Sequence, residues 1–311
     1  LFRIMGHRPV TIRLLDPPMH EFLPGERQLV EELERLRHLR ETVNGLQVLH
    51  DSVDFLYRAR EVHPQVALPA EPALVDEVIA KKEAMLKKVR ALFEVNPMLG
   101  HRGVRLGLTS PEIYRMQIRA ILEATAECRR AGLEVHPEIM VPQVCTAQEL
   151  KTVKGWVDEI RAEVERDCGF TLDVKFGSML EVVRACLRAD ALAEDAEFFS
   201  FGTNDLTQAT FSFSREDAEN KFLPAYTQGR ILQHNPFEVL DVKGVGQLME
   251  LAVAGGRKTR PGMKIGICGE HGGHPASIAF CHAAGLSYVS CSGPRVPIAR
   301  LAAAHAALNE A

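Results

Sequence analysis

The chain has 311 residues, of which 46% are hydrophobic and 25% charged, with a formal net charge of -4 at pH 7. This composition is typical of a globular protein with enough apolar material for one large core. No basic block indicates nucleic-acid binding, and no apolar run approaches the roughly 18 residues that span a membrane. The seven cysteines are scattered without a Cys-x-x-Cys pair, which favours reduced thiols in the cytoplasm.

The hydrophobic pattern predicts seven strands that alternate with helices, which is typical of parallel β/α architecture. They lie at 10–15, 103–108, 138–141, within 174–183, and at 198–201, 264–268 and 287–291. A (β/α)8 TIM barrel has eight strands, so we expect its first strand to lie upstream of Leu1. A doubly wound sheet is the alternative fold, but no Gly-x-Gly-x-x-Gly turn follows a strand.

A helical pattern from Gly25 to about Phe93 follows the first predicted strand. Prolines between His63 and Pro72 divide it into at least two helices. We therefore expect a helical insertion over 26–95 inside one barrel domain of residues 1–311.

The segment Ser-Phe-Gly-Thr-Asn-Asp-Leu-Thr-Gln at 200–208 ends a predicted strand in backbone donors, an amide and a carboxylate. In parallel barrels the carboxyl ends of the strands carry the chemistry. A simple tight turn is the alternative, because Gly, Asn and Asp are common turn residues. The same pattern recurs at other strand ends, which favours a functional site.

Arginines and carboxylates also lie in or beside the predicted strands. Arg13, Arg102 and Arg105 would cost free energy in a buried strand unless each meets an anion or a carboxylate. They form either structural salt bridges or a clamp for a phosphate or carboxylate group. Glu181 and Asp205 end adjacent strands, and such hard oxygen ligands suit Mg²⁺ unless they pair with arginine or backbone instead.

Cys268 stands at a strand-to-loop junction, followed by Gly-Glu-His-Gly-Gly. A thiol in that position is able to donate or accept a proton, with a pKa set by neighbouring charges. Most of the other cysteines follow apolar runs and are interpreted as inert core residues.

Together these motifs resemble the phosphoenolpyruvate-binding domain of the pyruvate, phosphate dikinases, nearly from end to end. The order and spacing of the motifs are specific, and the motifs stand at 11–18, 96–103, 137–142, 200–208, 244–248, 268–273 and 295–301. Phosphoenolpyruvate synthase and enzyme I of the sugar phosphotransferase system share the barrel and the Gly-Thr-Asn-Asp-Leu-Thr-Gln segment.

The resemblance implies a role for each charged group. Arg13 and Arg102 match the arginines that bind the phosphoryl group of phosphoenolpyruvate. Glu181 and Asp205 match the ligands of an Mg²⁺ cofactor. Two guanidinium groups and one Mg²⁺ would neutralise the charge that phosphoryl transfer to an enolate requires.

The resemblance also places the pyruvate-derived part of the substrate. Gly202, Thr203 and Asn204 match the segment that holds the pyruvyl carboxylate and the enolate oxygen. Cys268 matches the acid/base at C3 of the enolate, and Tyr288 matches a residue that lines the same pocket. Several residues near the site depart from the family pattern: Val182, Val183, Ser178, His274, Gly293 and Pro294.

The family's full reaction needs an ATP-binding domain and a swivelling domain with a phosphohistidine, and this sequence contains the motifs of neither. The resemblance therefore implies that these domains, pyruvate or phosphoenolpyruvate, and a second copy in a homodimer are partners. A Mg²⁺-dependent lyase of the same barrel superfamily, a phosphoenolpyruvate synthase and a non-catalytic binding module are the alternative functions.

Overall fold

The computed structural model describes residues 1–58, 72–94 and 96–309, and six strands in these ranges form one parallel sheet. The strands are β1 (Pro9–Arg13), β2 (His136–Val141), β3 (Lys175–Leu180), β4 (Phe198–Gly202), β5 (Lys264–Cys268) and β6 (Tyr288–Val289). Their order is β1-β2-β3-β4-β5-β6 without reversal. A doubly wound sheet reverses its strand order, so this winding is that of a barrel.

Fourteen α-helices lie in the described ranges. They are α1 (Phe2–Met5), α2 (Glu26–Arg58), α3 (Pro72–Ala91), α4 (Val104–Thr109), α5 (Pro111–Arg130), α6 (Ala147–Cys168), α7 (Val183–Leu187), α8 (Ala189–Leu192), α9 (Thr203–Phe211), α10 (Arg215–Lys221), α11 (Leu223–Gln228), α12 (Gln247–Thr259), α13 (Pro275–Ala283) and α14 (Val296–Asn309). One compact unit contains Leu1–Asp16 with Arg102–Ala311, and a second contains Pro17–His101.

The sheet buries two different faces, because successive side chains of a strand point to opposite sides. On one face, residues such as Ile139, Phe199 and Ile265 join the large core beneath the helices. On the other face Met140, Met179 and Phe198 form a separate cluster against Cys268. Apolar side chains therefore fill the inner side of the sheet as far as Cys268, at the carboxyl end of β5.

A buried ion pair shows that the sheet is curled. Lys264 Nζ in β5 lies 2.8 and 2.9 Å from the two carboxylate oxygens of Glu138 in β2, although β3 and β4 separate these strands. Thr11 of β1 donates a hydrogen bond of 2.6 Å to the same carboxylate. The ammonium also lies 4.9 Å from the ring centroid of Tyr288 in β6. These contacts join both ends of the sheet across its inner side, as in part of a barrel wall.

The predicted strand over 103–108 is wrong. Gly103 adopts φ +57°, which turns the chain, and the next residues form α4. The α4 side chains Val104 and Leu106 are buried at 0% and 3% exposure, so the apolar alternation reflects one buried helix face. Arg105 consequently lies on a helix, Arg102 precedes it in a turn, and six strands are found where seven were predicted. The last strand is also shorter than predicted.

The unit Pro17–His101 contains the two helices predicted for the insertion, α2 and α3. Leu33 packs against Val75 and Ile79, and Lys82 Nζ pairs with Glu32 Oε2 at 2.6 Å. Residues 59–71, which hold most of the predicted proline-rich break, lie outside the described residues. Over the described ranges, no helix combines the length and the apolar character that crossing a bilayer requires.

Candidate active site

Two arginines meet at one buried carboxylate, that of Asp16, just beyond the end of β1. Arg102 Nη2 lies 2.6 Å from Asp16 Oδ2, and its Nε lies 3.1 Å from the Asp16 carbonyl oxygen. Arg13 Nη1 lies 2.8 Å from the same Oδ2. Asp16 is 1% exposed, whereas the Arg13 side chain is 44% exposed. Asp16 therefore forms ion pairs with both arginines and sets the direction of their guanidinium groups.

The carboxylates of Glu181 and Asp205 come together beyond the ends of β3 and β4. Gln143, in the turn after β2, links them: its backbone N–H donates to Glu181 Oε1 at 2.7 Å, and its side-chain amide donates to Asp205 Oδ2 at 3.3 Å. Arg102 Nη1 lies 3.5 Å from Asp205 Oδ1. Three strand ends thus contribute to one polar cluster.

Local backbone geometry makes this approach possible. Gln143 has φ +59°, a left-handed conformation that aims both of its donors at the carboxylates. A Cβ atom on Gly202 would collide with the Glu181 carboxylate, so only glycine lets the acid approach the end of β4. The sequence motif therefore needs its glycine for packing.

The two acids strongly perturb one another. Burial raises the pKa of Glu181 well above its usual range, and the neighbouring charge of Asp205 raises it further. Burial also raises the pKa of Asp205, and Arg102 opposes that shift. A cation beside both carboxylates would favour their ionised forms. Among the described residues, no group of three or more His, Cys, Asp or Glu side chains is arranged to hold a metal ion.

Cys268 ends β5 beside the acids. Its Sγ lies 3.3 Å from the Phe201 carbonyl oxygen, which accepts the thiol proton. Burial, together with the charge of Glu181, raises the pKa of Cys268 to about 11, against an opposing hydrogen bond from Ser200. Ser200 also bonds to Tyr288, whose pKa burial raises to about 12. At neutral pH both groups are therefore protonated.

The predicted segment Gly202–Asn204 forms the end of β4 and the start of α9. Thr203 Oγ1 lies 2.6 Å from His271 Nδ1 and 3.3 Å from the Cys268 carbonyl oxygen. The Asn204 amide donates to Glu270 Oε2 at 2.9 Å. The carbonyl oxygen Asn204 Oδ1 is buried and has no hydrogen-bond partner. A buried acceptor of this kind is costly and is suited to a ligand that supplies a donor or a cation.

The residues that depart from the family pattern do not carry the groups described above. Val182 precedes α7 in an extended conformation, and Val183 begins that helix. His274 precedes α13, and its Nδ1 is buried without a hydrogen-bond partner. Gly293 and Pro294 form a short 3-10 turn before α14.

Comparison with known proteins identifies the family of this chain. The family described as PEP-utilising enzyme, PEP-binding domain matches residues 1–308. The chain belongs to this family.

Individual relatives are pyruvate, phosphate dikinases. The enzyme of Entamoeba histolytica is 49% identical over 310 residues, covering 99% of this chain and 31% of that protein. The enzyme of Clostridium symbiosum is 48% identical, with the same coverage. The chloroplastic enzyme 1 of Oryza sativa is 50% identical over 308 residues, covering 99% of this chain and 28% of that protein. The chain therefore spans less than a third of the length of these relatives.

Among solved structures, a citrate lyase from Burkholderia xenovorans has a TM-score of 0.40 at 15% identity, covering 61% of this chain and 53% of that chain.

The structure thus brings together seven of the predicted residues in one region: Arg13, Arg102, Glu181, Gly202, Thr203, Asp205 and Cys268. Asn204 continues that region toward Glu270, and Tyr288 reaches it through Ser200. Sequence reasoning missed Asp16, Gln143, Ser200 and His271, which support these groups. Asp16, Ser200 and His271 lie inside the motifs at 11–18, 200–208 and 268–273, so these motifs were an available signal for the three residues.

Proposed function

We propose that this chain is the carboxy-terminal domain of a pyruvate, phosphate dikinase and that it interconverts pyruvate and phosphoenolpyruvate. The observation that carries this proposal is the gathering of two arginines, two acids and one thiol at the carboxyl ends of a single parallel sheet. Arginines suit a phosphoryl group, acids suit a metal, and a thiol suits proton transfer. The similarity to dikinases over 99% of the chain supports the same function.

Glu181 and Asp205 fit the Mg²⁺ ion that this function implies. The two acids lie together, each with a raised pKa, and a divalent cation would relieve the repulsion between their ionised forms. Two carboxylates are also enough for Mg²⁺, which keeps several positions for water and substrate oxygens. When bound there, Mg²⁺ would supply charge neutralisation at the enolate and phosphoryl oxygens.

The arginines would bind the transferred phosphoryl group. Arg102 is 4% exposed and is fixed on Asp16, so its guanidinium group has little freedom. Arg13 is more exposed and shares that carboxylate, so Asp16 holds its guanidinium group where a phosphoryl group at the mouth of the site would reach it. Two guanidinium groups held by one carboxylate form a preorganised anion clamp.

Cys268 would exchange the proton at C3. When phosphoenolpyruvate donates its phosphoryl group to the histidine of a swivelling domain, the O–P bond breaks, a phosphohistidine forms and the enolate of pyruvate remains. The Sγ–H bond then breaks, a C–H bond forms at C3, and the thiolate remains. In reverse the thiolate removes a methyl proton from pyruvate. The pKa of about 11 keeps Cys268 protonated at neutral pH, which is the form that protonates the enolate.

The proposed partners follow from the same function. A swivelling domain bearing the phosphohistidine and an ATP-binding domain would complete the reaction, and a second copy would form a homodimer. We place the protein in the cytoplasm, because its seven cysteines are free thiols. The lyase alternative is disfavoured, since the relatives named above are dikinases.

Calorimetry tests the binding part of the proposal. Phosphoenolpyruvate and oxalate should bind this protein with Mg²⁺ and far more weakly without it, because the arginines alone leave the enolate and carboxylate oxygens unneutralised. Arg13→Ala should weaken phosphoenolpyruvate binding by about 1.5–3 kcal/mol for each lost charge-assisted bond. It should spare oxalate, which has no phosphoryl group. Equal affinity with and without Mg²⁺ would contradict the metal assignment.

A further inference from the structure

His271 is a fully buried histidine (0% exposed) in the loop that follows β5. Both of its ring nitrogens have partners: Nε2 lies 2.9 Å from the Pro236 carbonyl oxygen, and Nδ1 lies 2.6 Å from Thr203 Oγ1. One side chain therefore connects three segments, namely the Cys268 loop, the start of α9 and the chain that precedes α12.

The direction of these hydrogen bonds follows from the partners. A carbonyl oxygen only accepts, so Nε2 must carry a hydrogen and donate it to Pro236. Burial lowers the pKa of His271, so the ring is neutral and Nδ1 carries a lone pair. The Thr203 hydroxyl therefore donates its single hydrogen to Nδ1. The competing acceptor, the Cys268 carbonyl oxygen, is more distant at 3.3 Å.

This contact joins Thr203 to the loop of Cys268, and both must be aligned with pyruvate for proton transfer. Thr203 belongs to the segment proposed to bind the pyruvyl carboxylate, and Cys268 is the proposed acid/base. If the hydroxyl of Thr203 were released from His271, it would turn to the Cys268 carbonyl and change how the two segments pack. A shift of about 1 Å in such a site lowers reaction rates about a hundredfold.

We propose that His271 is a positioning residue that, through the hydrogen bond accepted by Nδ1, holds Thr203 in register with Cys268. The inference rests on the proposed function, because it concerns the alignment of pyruvate with the thiol. The Nε2 contact with Pro236 anchors the ring, and the Nδ1 contact sets the alignment.

Two substitutions separate these contacts. Asparagine places a side-chain oxygen near the Nδ1 position, so His271→Asn keeps an acceptor for Thr203 and loses the bond to Pro236. Glutamine places an N–H near the Nε2 position, so His271→Gln keeps the bond to Pro236 and loses the acceptor. Each variant lacks one buried hydrogen bond, so both should melt at similar, lowered temperatures.

The readout is exchange of pyruvate methyl protons with D₂O, measured by proton NMR with saturating Mg²⁺. We expect His271→Gln to lower the maximal rate about a hundredfold with little change in KM. His271→Asn should retain most of the rate. Thr203→Val should match His271→Gln, and the double variant should lose no more than either alone, since both remove the same contact.

If the Asn and Gln variants lose the exchange rate equally, as their similar losses in melting temperature would predict, His271 is not a positioning residue. The proposed function would be unaffected by that result. A parent protein that neither exchanges protons nor binds oxalate with Mg²⁺ would overturn both. Nitrogen-15 NMR of the parent gives a check without turnover: a proton on His271 Nε2 supports the contact, and a proton on Nδ1 contradicts it.

Discussion

At the scale of single residues, Cys268 illustrates how burial selects one protonation state. An ordinary thiol has a pKa near 8.5, and burial beside Glu181 raises that of Cys268 to about 11. The protein therefore holds the proton on sulfur at neutral pH, which suits donation to an enolate. Cys281 on α13 has a pKa raised to about 12 by burial alone and lies in the large core. It is a matched thiol away from the acids.

Cys268→Ala should lower the exchange of pyruvate methyl protons by at least about a hundredfold, because it removes the proposed acid/base. Mg²⁺-dependent oxalate binding should remain nearly unchanged, since a thiol contributes little affinity. Proton NMR in D₂O and calorimetry measure the two effects. Cys281→Ala should leave exchange at the parent rate. Parent-rate exchange in the Cys268 variant would remove this residue from the reaction.

Glu181 carries a cost to stability in the protein without metal. Its pKa is higher in the folded protein than in the unfolded chain. Protonated Glu181 therefore favours the folded state at low pH, and this contribution is lost as the pH rises from the unfolded-state pKa through the folded-state pKa. Glu181→Gln should therefore raise the melting temperature at pH 7 without metal. Mg²⁺ should stabilise the parent, more at pH 8 than at pH 6, and should not stabilise the variant. A Mg²⁺-dependent shift retained by the variant would contradict Glu181 as a ligand.

At the scale of secondary-structure elements, the hydrophobic pattern of the sequence correctly predicted the strands that are buried on both faces. It failed for one short helix, which it predicted as a strand. The segments that became β2, β4 and β5 have continuous apolar runs that end in polar residues, a local signal for buried parallel strands. The segment 103–108 has a similar run, yet α4 is only six residues long. Over that length helical and strand periods are hard to tell apart, and the φ of Gly103 decides the outcome.

The same distinction explains which site residues were predicted. Arg13, Glu181, Asp205 and Cys268 stand at strand ends, where position along the chain already indicates position in space. Gln143 was missed because its role depends on a positive φ and on contacts with two distant strand ends. Neither property is visible in a local pattern.

The turn into α4 offers a prediction for this element. Gly103 has φ +57°, and a Cβ there would lie 2.8 Å from Gln143 Cβ. Gly103→Ala should therefore destabilise the fold by more than the roughly 1–3 kcal/mol that a sparsely populated backbone conformation costs, and it should weaken phosphoenolpyruvate binding by displacing Arg102. Gly132 is a matched control, since it has φ +75° with nothing within 4 Å of an added Cβ. Denaturant melts measure the loss of unfolding free energy in each variant. Equal losses in the two variants would contradict the prediction, because they would show that the structure relieves the crowding at Gly103.

At the scale of the whole molecule, β1 and β6 are the two ends of the sheet over the described residues. Contiguous exposed apolar surface favours association with another chain. The helix after β6, α14, adds such surface: Ile298, Leu301 and Leu308 are 51%, 59% and 72% exposed. This face is the natural candidate for the contact between copies in the proposed homodimer.

We therefore predict that the protein self-associates and that Leu301→Glu weakens this association, because a buried unpaired charge is costly in an apolar contact. Sedimentation velocity over a range of concentrations measures the effect. Leu251→Glu on α12 is a matched control, because Leu251 is 57% exposed and lies on a different helix from Leu301. The control should associate as the parent does, and both variants should keep the parent melting temperature. If Leu301→Glu associates as strongly as Leu251→Glu, α14 does not form the contact and the copies meet through another face.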